Sequence, residues 1–326
     1  MNSLYPLKFK TIFKDKIWGG DKIKTILGKD FSPLPNCGEA WEISAIQGDL
    51  SLVKNGFLEG NNLEELVEIY MGDLVGDKIY EQFGIEFPLL IKFIDAKEML
   101  SVQVHPDDET ARKNHNSYGK TEMWYVLNAD KNSQIINGFN KEVNKEIFLE
   151  HLKNNKLKNI LNFENAEKDD VFFNPAGRIH AIGAGICLAE IQQTSDITYR
   201  IYDWDRVDKK GKSRELHLNF ALDVMDYKHY NNYKTYYQTE LNKSSNIIEC
   251  PYFTTNVIHL TKEISLDYNF IDSFVIYICV EGKMKLEYGK NAIDLIKGET
   301  VLVPAVLKNI ILKPETESKL LEVYIF

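Results

Sequence analysis

A chain of 326 residues is long enough for one large domain or two ordinary ones, and 44% hydrophobic with 27% charged residues is the make-up of a soluble globular protein. The formal charge of -9 argues against non-specific binding to nucleic acid or an anionic membrane, yet leaves room for a few local cations around an anionic substrate. No run is apolar for long enough to span a bilayer, no signal core is apparent, and Cys37, Cys187, Cys250 and Cys279 are too scattered for disulfide or zinc-finger spacing, so a cytoplasmic protein with reduced thiols is expected.

In chain order, residues 1 to 20 read as an extended segment ending in Ile17-Trp18-Gly19-Gly20, where paired glycines permit a tight turn. Gly38-Glu-Ala-Trp-Glu-Ile-Ser44 is a strand candidate expected to carry Glu39 and Glu42 on one face. Between Asn61 and Phe83, Leu63, Leu66, Val67, Tyr70, Met71 and Leu74 recur at helical spacing and predict one or two amphipathic helices. Within Leu90 to Asp107, Ser101, Gln103 and His105 fall on one face of a strand and Leu100, Val102 and Val104 on the other. Pro106 keeps His105 extended, because its ring disfavours a helical residue before it.

After a polar loop, Lys120, Glu122 and Trp124 share a strand face, with Thr121, Met123 and Tyr125 behind them. Asn144 to Leu161 reads as a second helical stretch, and Asp170 to Ile182 as a strand, a Pro/Gly turn and another strand carrying His180. Ile186 to Gln193 and Thr198 to Tyr202 alternate as further strands, and Lys209-Lys-Gly-Lys-Ser213 reads as a charged linker or a loop over a site. The weakly hydrophobic stretch Tyr230 to Ser245 is the expected boundary, dividing the chain into 1–235 and 236–326.

The second part echoes the first. Glu122 to Leu127 overlays Phe274 to Cys279, and Asp170 to Ala176 overlays Glu299/Thr300 to Ala305, with Pro175 on Pro304. This register sets Glu122 on Phe274 and His180 on Asn309, so the second copy lacks coordinating residues where the first has them. Many short strands joined by Gly/Pro turns predict a mainly β protein built of β-sandwich or jelly-roll barrels, one per unit.

Gln103, His105, Glu122 and His180 offer two imidazoles and two side-chain oxygens, a set that zinc, manganese or iron would accept. With a single carboxylate the ion keeps net positive charge, which suits polarising a hydroxyl or carbonyl. The remaining histidines, His115, His151, His217, His229 and His259, read as surface or ordinary core residues. Lys92, Lys120, Arg200, Arg206, Lys212 and Arg214 lie near these positions in sequence and would suit a phosphate or a developing oxyanion if they converged.

Ile17-Trp-Gly-Gly20, Gly38 to Ser44, Leu100-Ser-Val-Gln-Val-His-Pro-Asp107, Gly119-Lys-Thr-Glu-Met-Trp124, Pro175-Ala-Gly-Arg-Ile-His-Ala181 and Thr198 to Arg206 together resemble the type I phosphomannose isomerases in their short bacterial form. The resemblance runs over most of the first 220 residues. It implies one zinc ion per chain on Gln103, His105, Glu122 and His180, with Arg200 in the active site. It also implies two cupin-like jelly-roll β-barrel domains with a small helical insertion, the C-terminal one without metal ligands. The implied reaction interconverts mannose 6-phosphate and fructose 6-phosphate through an enediolate, supported electrostatically by Arg200. Lys92, His105 and Lys120 are candidate proton carriers, with Lys92 favoured because a coordinated histidine is a poor base. Glu190 is a candidate for sugar hydroxyls, and Ser101, Arg206 and Lys212 for the phosphate. The alternatives are an iron oxygenase, a non-catalytic sugar-phosphate-binding cupin, and another sugar-phosphate isomerase.

Overall fold

The computed structural model describes residues 4–207 and 210–326, so Lys209 of the charged segment lies outside the described residues. The first unit opens with β1 (Ile12–Lys14), α1 (Lys22–Thr25), β2 (Glu39–Ile43), α2 (Leu63–Val75), α3 (Asp77–Phe83), β3 (Leu89–Ala96), β4 (Val102–Val104), α4 (Asp108–His115) and β5 (Glu122–Ala129). It continues through β6 (Gln134–Phe139), α5 (Lys145–Lys153), β7 (Leu161–Asn165), β8 (Val171–Asn174), β9 (His180–Ile182), β10 (Ile186–Gln193), β11 (Tyr199–Tyr202), α6 (Leu218–Val224) and β12 (Lys234–Thr235). Then come β13 (Ser244–Glu249), β14 (Thr254–Leu260), β15 (Ile264–Asp267), β16 (Val275–Glu281) and β17 (Lys283–Tyr288). The chain ends through β18 (Asn291–Ile296), β19 (Thr300–Val303), β20 (Asn309–Pro314) and β21 (Ser318–Tyr324).

These strands form four antiparallel sheets, ordered β1-β2-β3-β10-β5-β8-β12 and β11-β4-β9-β6-β7 in the first unit, β13-β14-β21-β16-β19 and β15-β20-β17-β18 in the second. None closes on itself, so each unit is an open pair of facing sheets and not the closed barrel expected. The strand period of two explains the layering. On β5, Trp124 and Val126 turn inward against Ile94, Leu188 and Ile182, while Met123 and Tyr125 turn outward. The outer face of the other sheet, through Val102, Val104 and Ala181, packs on α5 and α6. In the second unit Tyr277, Val301, Ile310 and Leu312 fill the space between the sheets with apolar side chains.

The two units share one core. Met123, Tyr125 and Ile191 of the first join Ile276, Leu302 and Leu321 of the second, and α2 and α3 pack in the same cluster. Phe87 and Phe274 meet there with ring centroids 4.5 Å apart. Asn62 and Glu65 close a capping box at the start of α2. The apolar stripe continues to Leu74, but Met71 leaves it: the backbone turns at φ 46° there and its side chain is 49% exposed, against the sequence expectation.

The internal overlay needs a one-residue correction. Trp124 pairs with Phe172, three residues before Pro175, and Tyr277 pairs with Val301, three before Pro304. Glu122 therefore matches Val275, not Phe274, which lies on the opposite face in the shared core. A slip of one residue exchanges the two faces of a strand. Likewise Asn309 is exposed, and the inward neighbour of His180's counterpart position is Ile310. In the corrected register the apolar Val275 stands where the first unit has Glu122.

Because the core is continuous, Phe274→Ala is expected to cost about 3–5 kcal/mol and to move a single unfolding transition in urea. Separate transitions for the two units, followed by far-ultraviolet circular dichroism and tryptophan fluorescence, would contradict a common core.

Asp95 on β3 is completely buried, and its Oδ2 accepts the Lys22 N–H at the start of α1 (2.6 Å), while Oδ1 has no partner among the described residues. Burial pushes its carboxyl up to about 6, so between that value and the ordinary 3.8 the folded state binds a proton that the unfolded chain has released. Ionising this group therefore costs stability as pH rises through the folded value. Asp95→Asn is expected to raise Tm at a pH of about 7.5, with the gain fading below about 5. Thermal melts across that range check the sign.

Candidate metal centre and active site

Three strands bring the candidate ligands together. Gln103 on β4 sits opposite His180 on β9, and Glu122 begins β5. The α4 excursion returns the chain to its starting point, since the Lys120 N–H donates to the Pro106 carbonyl (3.0 Å), and the Gly177 N–H donates to the His105 carbonyl (2.9 Å). His105, Glu122 and His180 are all at most 1% exposed.

The imidazoles are oriented from behind. Nδ1 of His105 lies 2.8 Å from the Ile197 carbonyl and Nδ1 of His180 lies 2.8 Å from the Arg178 carbonyl. A carbonyl only accepts, so both rings carry their proton on Nδ1 and expose a bare Nε2. The two Nε2 atoms are 3.1 Å apart, with Glu122 Oε1 3.3 Å from one and Oε2 3.4 Å from the other. Burial, then the neighbouring Lys120, pushes His180 down to about 3 and His105 well below its usual value, so neither ring relieves the crowding by taking a second proton.

Two lone pairs and a carboxylate face one point, and Glu122 Oε1 has no hydrogen-bond partner among the described residues. That donor set fits a divalent cation. Gln103 stands 3.4 Å from His180 Nε2 through its amide nitrogen; turning the amide over presents Oε1 to the same point. Lys120 Nζ is the nearest cation, bonded to Glu122 and 3.1 Å from His105 Nε2.

Above this point lies a cavity of about 450 Å³ whose walls include Lys92, Ser101, Gln103, Lys120, Glu190 and Arg200. Lys92 Nζ is 3.1 Å from Glu190 Oε1, and Trp124 Nε1 donates to Glu190 Oε2 (2.8 Å). Burial works against both charges of this pair. For Glu190 the pull of Lys92 and Lys120 with the indole N–H outweighs it and holds the carboxyl below its usual value. For Lys92, Glu190 and Glu39 outweigh it and hold the ammonium above the usual lysine value. These neighbours favour the charged form of Lys92.

Other expectations fare differently. Arg206 and Lys212 line an adjoining cavity that shares Arg200 and Arg214 with the first. Arg206 is tied to Asp203 (2.6 Å), and Arg214 grips the same carboxylate with two nitrogens (2.6 and 2.8 Å). Arg214, named only among the cations, is the one that reaches the main cavity beside Arg200, whose own Nε is buried without a partner among the described residues. Ser101 donates weakly to Gln103 (3.4 Å), and Leu100 lines the same cavity instead of facing away, because β4 begins only at Val102. Glu39 faces the cavity, whereas Glu42 is the extra residue of a β-bulge and turns to Thr11 and Lys29. Trp18 and Trp41 complete the wall, although their motifs carried no assigned role. None of the other five histidines is buried.

The sequence model of the type I phosphomannose isomerase catalytic domain matches residues 6–131, and that of the mannose-6-phosphate isomerase cupin domain matches 243–324. The chain is 36% identical over 308 residues to the mannose-6-phosphate isomerase ManA of Bacillus subtilis, spanning 92% of this chain and 93% of that one. It is 32% identical over 305 residues to a mannose-6-phosphate isomerase of Streptococcus mutans, with 93% and 94% covered. The crystal structure of a mannose 6-phosphate isomerase from Bacillus subtilis superposes with a TM-score of 0.88 at 30% identity, covering 98% of this chain and 99% of that one. A phosphomannose isomerase from Salmonella typhimurium shares the fold at a TM-score of 0.80 and 16% identity, over 98% and 99% of the two chains. From motifs, site and full-length similarity alike, the chain belongs to the type I phosphomannose isomerase family.

Proposed function

We propose that the chain is a zinc-dependent isomerase interconverting mannose 6-phosphate and fructose 6-phosphate. The observation that carries the reading is the pair of bare His105 and His180 Nε2 atoms, 3.1 Å apart over the Glu122 carboxylate, at the base of a cation-lined cavity. Gln103, His105, Glu122 and His180 would hold the ion, which supplies Lewis-acid polarisation of the substrate oxygens when bound. The names of the full-length relatives support the substrate.

The reaction removes a proton from C2 of the open-chain aldose and returns one to C1, with an enediolate between. Arg200 pairs across the sheet with Gln103 and has an unpartnered Nε, so it offers a fixed donor to the charge that develops on the oxygens. Lys120 Nζ is our candidate for the proton carrier. It stands in the cavity wall, 3.1 Å from His105 Nε2, between the candidate ligands and the space for substrate. The Lys92–Glu190 pair, braced by Trp124, offers a charged donor and acceptor for sugar hydroxyls. Arg214, held in place by Asp203, suits the phosphate. We take 1–235 as the catalytic domain and 236–326 as a bracing domain whose interior has no such ligands among the described residues.

A coupled assay is expected to show turnover of mannose 6-phosphate that chelation abolishes and zinc restores. Binding of the sugar phosphate without turnover in the zinc-loaded protein would instead favour a sensor. Arg200→Ala is expected to lower kcat by about 10²–10³-fold with the metal content unchanged. Lys120→Ala is expected to lower kcat by about 10²–10⁴-fold and to slow deuterium incorporation from solvent. Lys92→Met is expected to act mainly on KM, and the reverse ranking of the two lysines, each with metal content verified, would exchange their roles.

A further inference from the structure

A second cavity, of about 560 Å³, lies on the other side of the segment that follows β10. Its walls come from the chain after β2, the C-terminal end of α4, and residues Thr194, Asp196 and Ile197. Asp196 lines both this cavity and the one above the metal ligands. Ile197 supplies the carbonyl that orients His105, so one short segment forms a wall of the second cavity and positions a ligand of the first.

The lining is polar and incompletely satisfied. The Thr194 hydroxyl is buried without a hydrogen-bond partner among the described residues, although its backbone N–H is bonded to the Pro88 carbonyl (2.9 Å). A buried hydroxyl left unpaired is costly, and turning the Thr194 side chain about χ1 toward the cavity it lines would let an occupant supply the partner. Arg112 makes no ion pair among the described residues, and His115 beside it spends only Nε2, on the Tyr199 hydroxyl (2.8 Å). Gln47, whose Nε2 donates to Glu64 (2.6 Å), keeps an amide oxygen, and Asp196 and Glu86 add carboxylates, groups that pair with sugar hydroxyls.

We propose that this cavity is a second binding site for a sugar phosphate, with the phosphate on Arg112 and His115 and hydroxyls on Thr194, Asp196 and Gln47. The choice of ligand rests on the function proposed above; the site itself rests on the cavity and its unpaired groups. Occupancy bears on the segment that holds His105, which couples the second site to the first.

The test is isothermal titration of the zinc-loaded protein with sorbitol 6-phosphate, a polyol phosphate with no carbonyl to isomerise. Two sites per chain are expected. Arg112→Ala is expected to weaken one of them by about 10–100-fold and the near-isosteric Thr194→Val by about 3–10-fold, each leaving the other site intact as a check of folding. Chelation is expected to remove the site that those substitutions spare. A single site lost on chelation overturns the proposal while the isomerase reading stands. Two sites both indifferent to Arg112→Ala and Thr194→Val overturn its location, and no binding at all overturns it together with the isomerase reading.

Discussion

The structure turns on the crowding of acceptors at one buried point. Two imidazole nitrogens stripped of their protons face each other beside a carboxylate, in surroundings from which water is nearly excluded. Such an arrangement repels itself unless a cation sits among the donors. The Ile197 and Arg178 carbonyls prevent the rings from escaping by changing tautomer, and burial prevents them from taking a second proton. Lys120 relieves part of the repulsion, and the remainder suits the point to a divalent cation.

The rest of the fold serves to hold that point rigid. The inner face of the large sheet carries the cavity, and its outer face is sealed against the second unit through one shared apolar cluster. The row Lys92–Glu190–Trp124 across β3, β10 and β5 has its counterpart in Asn256–Glu322–Tyr277 across β14, β21 and β16. In the second unit the carboxylate is satisfied by the hydroxyls of Tyr268 and Ser244 and the amide of Asn256, with no lysine in the row. The same backbone plan thus carries a charged pair open to a cavity in one unit and a closed, neutral-donor network in the other.

Much of the site could be read from local pattern. The alternation around Gln103 and His105, the face shared by Lys120, Glu122 and Trp124, and the proline after His105 all act within a few residues, and the folded strands preserve them. The helices near 61–83 and 144–161 followed from periodicity, with Met71 the exception because a backbone turn lifts it off the stripe. Less legible was everything set by how strands meet. The bulge at Glu42 was hidden, although the period of two already sets Glu39 and Glu42, three residues apart, on opposite faces. The internal overlay slipped by one residue because apolar alternation on both faces of β16 fits either register.

By itself the sequence singled out Gln103, His105, Glu122 and His180 as a donor set on or beside short strands, because ligand type and strand period are local properties. Tertiary structure alone decided which cations face the metal point. Arg214 enters the cavity and Arg206 stays outside it, since both are gripped by the same Asp203 and only the path of the loop separates them. It also placed Glu190 and Glu39 beside Lys92, where they favour its charged form, from neighbouring strands far away in the chain. Pairings of this kind are long-range, and their energies exist only once the sheets have formed.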